Sequence, residues 1–89
     1  MLGCMKNLCH AIIWSACFLE LSPDDIVDPD SAVKALEDIA SALQAATEEE
    51  KQAFRQACSE EALRLEKDTG SGRARTAEFI RSLPESVGI

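Results

Sequence analysis

Cys4, Cys9 and His10 lie within the first ten residues, and a thiolate–imidazole ligand set is the first chemistry that these residue types suggest. Zinc is usually held by two ligand pairs, each with members two to four residues apart and the second pair farther along the chain. Here the cluster is irregular, and only Cys58 remains to complete it. A thiol- or metal-binding module at the N-terminus, built on Cys4, Cys9 and His10, is therefore kept as an alternative function, with no metal site and no cofactor assigned. Calcium is the second candidate, because Asp24, Asp28 and Asp30 share one predicted loop. An EF-hand loop requires Gly at its sixth position and Glu at its twelfth. Counting from Asp24 places Pro29 and Ala35 there, and counting from Asp28 places Val33 and Ile39. Nucleophilic catalysis fares no better, since Cys9 and His10 are adjacent and on a helix point about 100° apart. No glycine-rich phosphate loop, nucleophile elbow or HExxH string occurs. The expectation is a chain that is not an enzyme.

What the residue types do supply is charge. Between residues 20 and 50 stand Glu20, Asp24, Asp25, Asp28, Asp30, Glu37, Asp38, Glu48, Glu49 and Glu50, with Lys34 as the only cation. The rest of the chain is close to neutral, so one third of the molecule accounts for the formal net charge of −7. Such a field draws in basic partners and repels nucleic acid. Arg64, Lys67, Arg73, Arg75 and Arg81 cluster toward the C-terminus, but the acidic total opposes phosphate binding. These cations are expected to pair with the acidic first half of the same molecule or of a second copy.

The elements that carry these residues are helical. Eighty-nine residues make one domain. Ala and Leu dominate, Tyr is absent, and aromatics are 4% of the chain, so strand formers are scarce. Ala-rich faces bury little area each, and at roughly 25 cal/mol per Å² their core stays small, which favours self-association through an exposed apolar face. The four cysteines do not read as a disulfide framework: Cys9 and Cys17 lie eight residues apart on one predicted helix, roughly 12 Å, too far to bridge. Free thiols in a cytoplasmic protein are expected, with Cys17 and Cys58 in the core and an exposed thiol near the N-terminus.

Along the chain, Leu8 to Leu21 is the most apolar stretch and is predicted to be the central helix, covered on two sides. Its apolar run from Ala11 to Leu19 falls far short of the roughly 20 residues that span a bilayer. Trp14-Ser15-Ala16-Cys17 stands where a lipoprotein cleavage box would, but Trp occupies a position that wants a small aliphatic residue. Ser22-Pro23-Asp24-Asp25 leaves room for a single turn before Asp28 caps a second helix with Pro29 at its first position. Val33, Leu36, Ile39, Ala40, Leu43 and Ala46 give that helix one apolar face. Thr47 to Glu50 matches a capping box opening a third helix, predicted to run to about Lys67 with Ala53, Phe54, Ala57, Cys58, Ala62 and Leu65 inward. Gly70 and Gly72 are expected to end it. A short last helix, about Ala74 to Leu83, should present Ala77, Ile80 and Leu83 inward and stop at Pro84.

Phe18 to Gln44 (FLELSPDDIVDPDSAVKALEDIASALQ) and Phe79 to Gly88 (FIRSLPESVG) resemble a group of short uncharacterised bacterial helical proteins, in which an FxELSxDxxVDPD-like run precedes an amphipathic helix. The resemblance implies a small, soluble helical protein from a bacterium and transfers no site. The resulting expectation is one all-α domain, residues 1–89, a small bundle of three main helices plus a short C-terminal helix. Its expected function is non-catalytic protein binding through an acidic surface carried by Asp24, Asp25, Asp28, Asp30, Glu48, Glu49 and Glu50, with no nucleic acid and no membrane involved. A homodimer through Leu8, Ile12, Trp14 and Phe18 fits the aromatic content of the first helix. A sharper alternative is an immunity- or antitoxin-type inhibitor that fills the basic cleft of a nuclease or other toxin.

Overall fold

The computed structural model describes residues 5–68 and 73–89 and holds four α-helices: α1 (Met5–Leu21), α2 (Pro29–Gln44), α3 (Glu48–Glu66) and α4 (Arg73–Ser86). No strand occurs among the described residues, and the architecture is an all-α helical bundle. No helix among them is long and apolar enough to cross a membrane.

Short-range hydrogen bonds set the helix boundaries. Ile26 and Val27 donate their backbone N–H groups to the Pro23 carbonyl, forming the one turn that fits between α1 and α2. Asp28 then caps α2: its Oδ2 accepts from Ser31 N at 2.9 Å and from Ser31 Oγ at 3.0 Å, with Pro29 opening the helix. Both halves of the capping box at α3 are present, Glu50 N donating to Thr47 Oγ1 at 3.1 Å and Thr47 N to Glu50 Oε1 at 2.8 Å. Replacing Asp28 by Ala is expected to destabilise the domain by about 1 kcal/mol, whereas Asp28→Asn keeps the acceptor and should leave the urea midpoint nearly unchanged. Equal midpoints for the two variants would show that the cap contributes nothing.

The last helix departs from expectation. It is 14 residues long and continues through Pro84 to Ser86. Pro84 lacks the N–H that would bond the Ile80 carbonyl, but it stands in the last turn, and the stop signal is Gly88 instead. Gly88 has φ 86° and donates to the Glu85 carbonyl, while Ile89 N donates to the Pro84 carbonyl, the paired bonds of a Schellman cap. A side chain at position 88 would also collide with Gln44 Nε2, which stands 2.8 Å from where its Cβ would be. That amide donates to the Val87 carbonyl at 2.7 Å and ties the C-terminus to the end of α2. Residues 87–89 are thus a packed apolar end, with Val87 buried. Gly70 and Gly72 lie outside the described residues.

The core is built on α1, α3 and α4. Ile13, Ala16 and Cys17 from α1 meet Phe54, Cys58, Ala62 and Leu65 from α3 and Ala77, Ile80 and Leu83 from α4. Alanines at these positions allow the helices to approach closely, most of all α3 and α4. α1 packs on each of the other three helices, which is the central role its composition implied. α2 packs chiefly on α1 and lies at the edge. Only Ala32 and Leu43 of α2 are buried, and Val33, expected inward, is 56% exposed because no helix covers that flank.

Candidate partner-binding surface

Sequence alone groups the seven candidate partner-binding carboxylates as one block; the bundle separates them. Asp24 and Asp25 stand in the turn before α2, and Asp28 and Asp30 at its start, whereas Glu48, Glu49 and Glu50 form the first turn of α3, beyond its far end. Sixteen helical residues place the two clusters about 24 Å apart. All seven are exposed, but they are not equally available. Asp28 and Glu50 serve as caps, and Glu48 Oε2 pairs with Arg55 Nη2 at 2.7 Å.

The cations pair elsewhere than expected. Arg64 bonds Glu61, Arg73 lies 3.7 Å from Asp68, and Arg81 pairs with Glu66. These contacts lie within or between α3, α4 and the segment joining them. Among the described residues, no ion pair involves a carboxylate between Glu20 and Asp38, so that charge faces outward with Lys34 as the one cation in the stretch. The reason is topological: α2, at the edge, contacts α1, and α1 carries only Lys6 as a permanent cation.

At the other end of α2 from Asp24 to Asp30, just past Glu37 and Asp38, an apolar groove of about 380 Å³ lies between α1, α2 and α3. Leu8, Ile12, Ile39, Leu43, Ala46 and Phe54 line it, with Glu50 as its carboxylate. It exists because the C-terminal half of α2 covers α1 only in part, so that half-buried Ile39 and Ala46 line its wall. Of the four residues expected at a dimer interface, Ile12 is half-buried and faces this groove, while Leu8, Trp14 and Phe18 are exposed.

One functional-looking residue is not apparent from composition. Glu61 is only 5% exposed. Its Oε2 accepts from Trp14 Nε1 at 2.9 Å and from Arg64 Nη2 at 3.0 Å, and its Oε1 accepts from Arg64 Nε at 2.8 Å. The Arg64 hydrogen bonds hold its carboxyl below the usual carboxylate range, opposing burial, with Trp14 assisting. An ionised carboxylate with these bonds is a pin between α1 and α3 and has little basicity left to take a substrate proton. The signal for it is spacing: Glu61 falls four residues after Ala57 and four before Leu65, in the middle of an apolar stripe. Beside it, in a depression shared with Lys6 and Glu60, His10 Nε2 is buried without a hydrogen-bond partner.

The thiols are interior. Cys9, Cys17 and Cys58 are all buried and free, so Cys9 is not the exposed thiol expected near the N-terminus. Burial pushes the Cys58 thiol up to about 12, with Cys9 and Cys17 nearby adding to it, and Cys17 up to about 11, with Glu61 adding to it. Cys9 is raised by burial as well. Protonated, desolvated thiols are poor nucleophiles and poor metal ligands at neutral pH. Among the described residues no group of three His, Cys, Asp or Glu side chains is arranged to hold a metal ion; Cys4 lies outside them. No family model, curated protein or solved structure matches the chain.

Proposed function

We propose that this chain is a non-catalytic protein-binding module whose partner is a basic protein presenting an amphipathic helix. The supporting observations are an apolar-floored groove at the C-terminal end of α2, lined by Glu50, and the exposed carboxylates, Glu37 and Asp38 nearest it, that make no ion pair along the helix and the turn before it. A partner helix with leucine-like side chains on one face and Lys or Arg on its flanks answers both features: its apolar face fills the groove, and its cations meet carboxylates that no internal cation has claimed. Electrostatic complementarity of this kind accelerates encounter and makes binding sensitive to salt.

The test is capture of partners from a lysate of the source organism with a salt-gradient elution, repeated with Asp24→Asn, Asp25→Asn, Glu37→Gln and Asp38→Asn combined. These four are exposed and have no capping role, so the fold should tolerate their neutralisation. A basic protein released at moderate salt by the native chain, and bound at least about tenfold more weakly by the variant, supports the reading. Equal binding by both chains at low salt sinks it. If the captured protein is a nuclease, loss of its cleavage activity at one equivalent of chain would identify the module as an inhibitor.

A further inference from the structure

We infer that the groove at the C-terminal end of α2 binds a small amphiphilic amine, a primary ammonium group carried on an apolar chain. The groove holds about 380 Å³. Small-ligand sites span roughly 300–1,000 Å³ and combine an apolar lining with a few placed polar groups. Here Ile12, Ile39, Leu43 and Phe54 supply the apolar part from three helices. No Lys, Arg or His lines the groove, and its one charged side chain is Glu50. Lys6 of α1 borders the neighbouring depressions instead, with Glu49 and Glu60.

The polar groups at that end are acceptors without donors. α2 stops on Ala45, which keeps a right-handed conformation (φ −84°, ψ −7°), so no left-handed cap folds back over the helix end, and its last turn holds no basic residue. The Ser41 and Leu43 carbonyls receive the N–H groups of Ala45 and Ala46, which leaves the carbonyls of Ala42 and Ala45 without a donor among the described residues. Ala42 and Ala45 both line the groove. Such open carbonyls carry the negative end of the helix dipole. Glu50 adds a full charge there: its Oε1 accepts from Thr47 N, while its Oε2 has no partner among the described residues. Charge complementarity therefore selects the ligand. A carboxylate or phosphate head would meet like charge, and a neutral chain would leave the acceptors unmet. A protonated amine supplies both the charge and the N–H donors, whereas a quaternary ammonium supplies the charge alone. The apolar chain then runs from Glu50 over Phe54 toward Ile12 and Ile39. This goes beyond the protein partner proposed above and stands on the groove alone.

Titration of the full chain with octylammonium, followed by calorimetry and NMR shifts, tests this. Octylammonium should bind with a Kd of about 1 mM or tighter. It should shift the amides from Ala42 to Glu50 and the methyls of Ile12 and Ile39, but not the indole of Trp14, which does not line the groove. Octanol and octyltrimethylammonium should bind at least about fivefold more weakly, and octanoate not measurably. Glu50→Gln should weaken octylammonium by about tenfold with the helix content unchanged, because Gln also closes a capping box. Asp24→Asn combined with Asp25→Asn, at the far end of α2, should weaken it by less than about twofold, since charges that distant are screened. Octanol binding as well as octylammonium, equal losses from the two carboxylate sites, or shifts spread over the exposed face of α1 would each overturn the inference. These titrations need no protein partner, so their failure leaves the partner reading standing, and a lysate that yields no basic protein leaves amine binding standing.

Discussion

Replacing Glu61 by Ala is expected to destabilise the domain by about 2 kcal/mol, read from the urea midpoint of the fluorescence of Trp14, the chain's one tryptophan. The magnitude follows from which partners suffer. Arg64 is 62% exposed on its side chain and can rehydrate, so it loses little. The Trp14 N–H, half-buried against α3, loses its acceptor, and the core gains a void where the Glu61 stem stood. Glu61→Met should cost less than Glu61→Ala because it refills that space; equal costs would mean that the hydrogen bonds, lost in both, and not the packing, dominate. The pin also makes the fold sensitive to acid. Its carboxyl is held below the usual range in the folded chain, so the unfolded chain takes up the proton first as pH falls. The stability that Glu61 contributes is thus complete above the ordinary carboxylate range and lost as pH drops through the folded value. Glu61→Gln should remove that part of the acid dependence.

Glu61 also shows where reading from the sequence stops. Caps are bonds between residues three apart, so Asp28 with Ser31 and Thr47 with Glu50 are legible from type and spacing alone. The inward face of α3 is legible for the same reason, since one helical period determines it. Spacing likewise puts Glu61, and not Glu60, on that face, but the group that helps satisfy its buried carboxylate is Trp14, 47 residues earlier, and no pattern within α3 points to it. The stop of α4 is misread because Pro84 is the louder signal, although a proline in a last turn costs less than one in mid-helix, and the positive φ at Gly88 is visible only with Gln44 in place. The ion pairs are misassigned because net charge says nothing of adjacency: Arg64 reaches Glu61 along its own helix, and Arg81 reaches Glu66 across the α3–α4 hairpin. The groove follows from α2 lying at the edge, a property of topology that no single helix encodes.

Phe54→Ala should damage the fold more than the loss of Glu61 or of the Asp28 cap. Phe54 is the largest fully buried side chain, 1% exposed, and truncation at such a site costs about 3–5 kcal/mol through lost transfer energy and a residual cavity. Domains of this length are stable by on the order of 5–13 kcal/mol, so the variant should melt far earlier or lose its helical circular dichroism in buffer. Val33→Ala, which periodicity also places on an apolar face, should change the midpoint by less than about 0.5 kcal/mol, since Val33 is already in water. Phe54→Leu separates structure from binding. It keeps an apolar side chain in the core at a cost of about 1 kcal/mol, but alters the floor of the groove between α1 and α2. A folded Phe54→Leu chain that binds its basic partner more weakly would place that partner's helix in the groove, whereas unchanged affinity would move the contact out to the open carboxylates of α2.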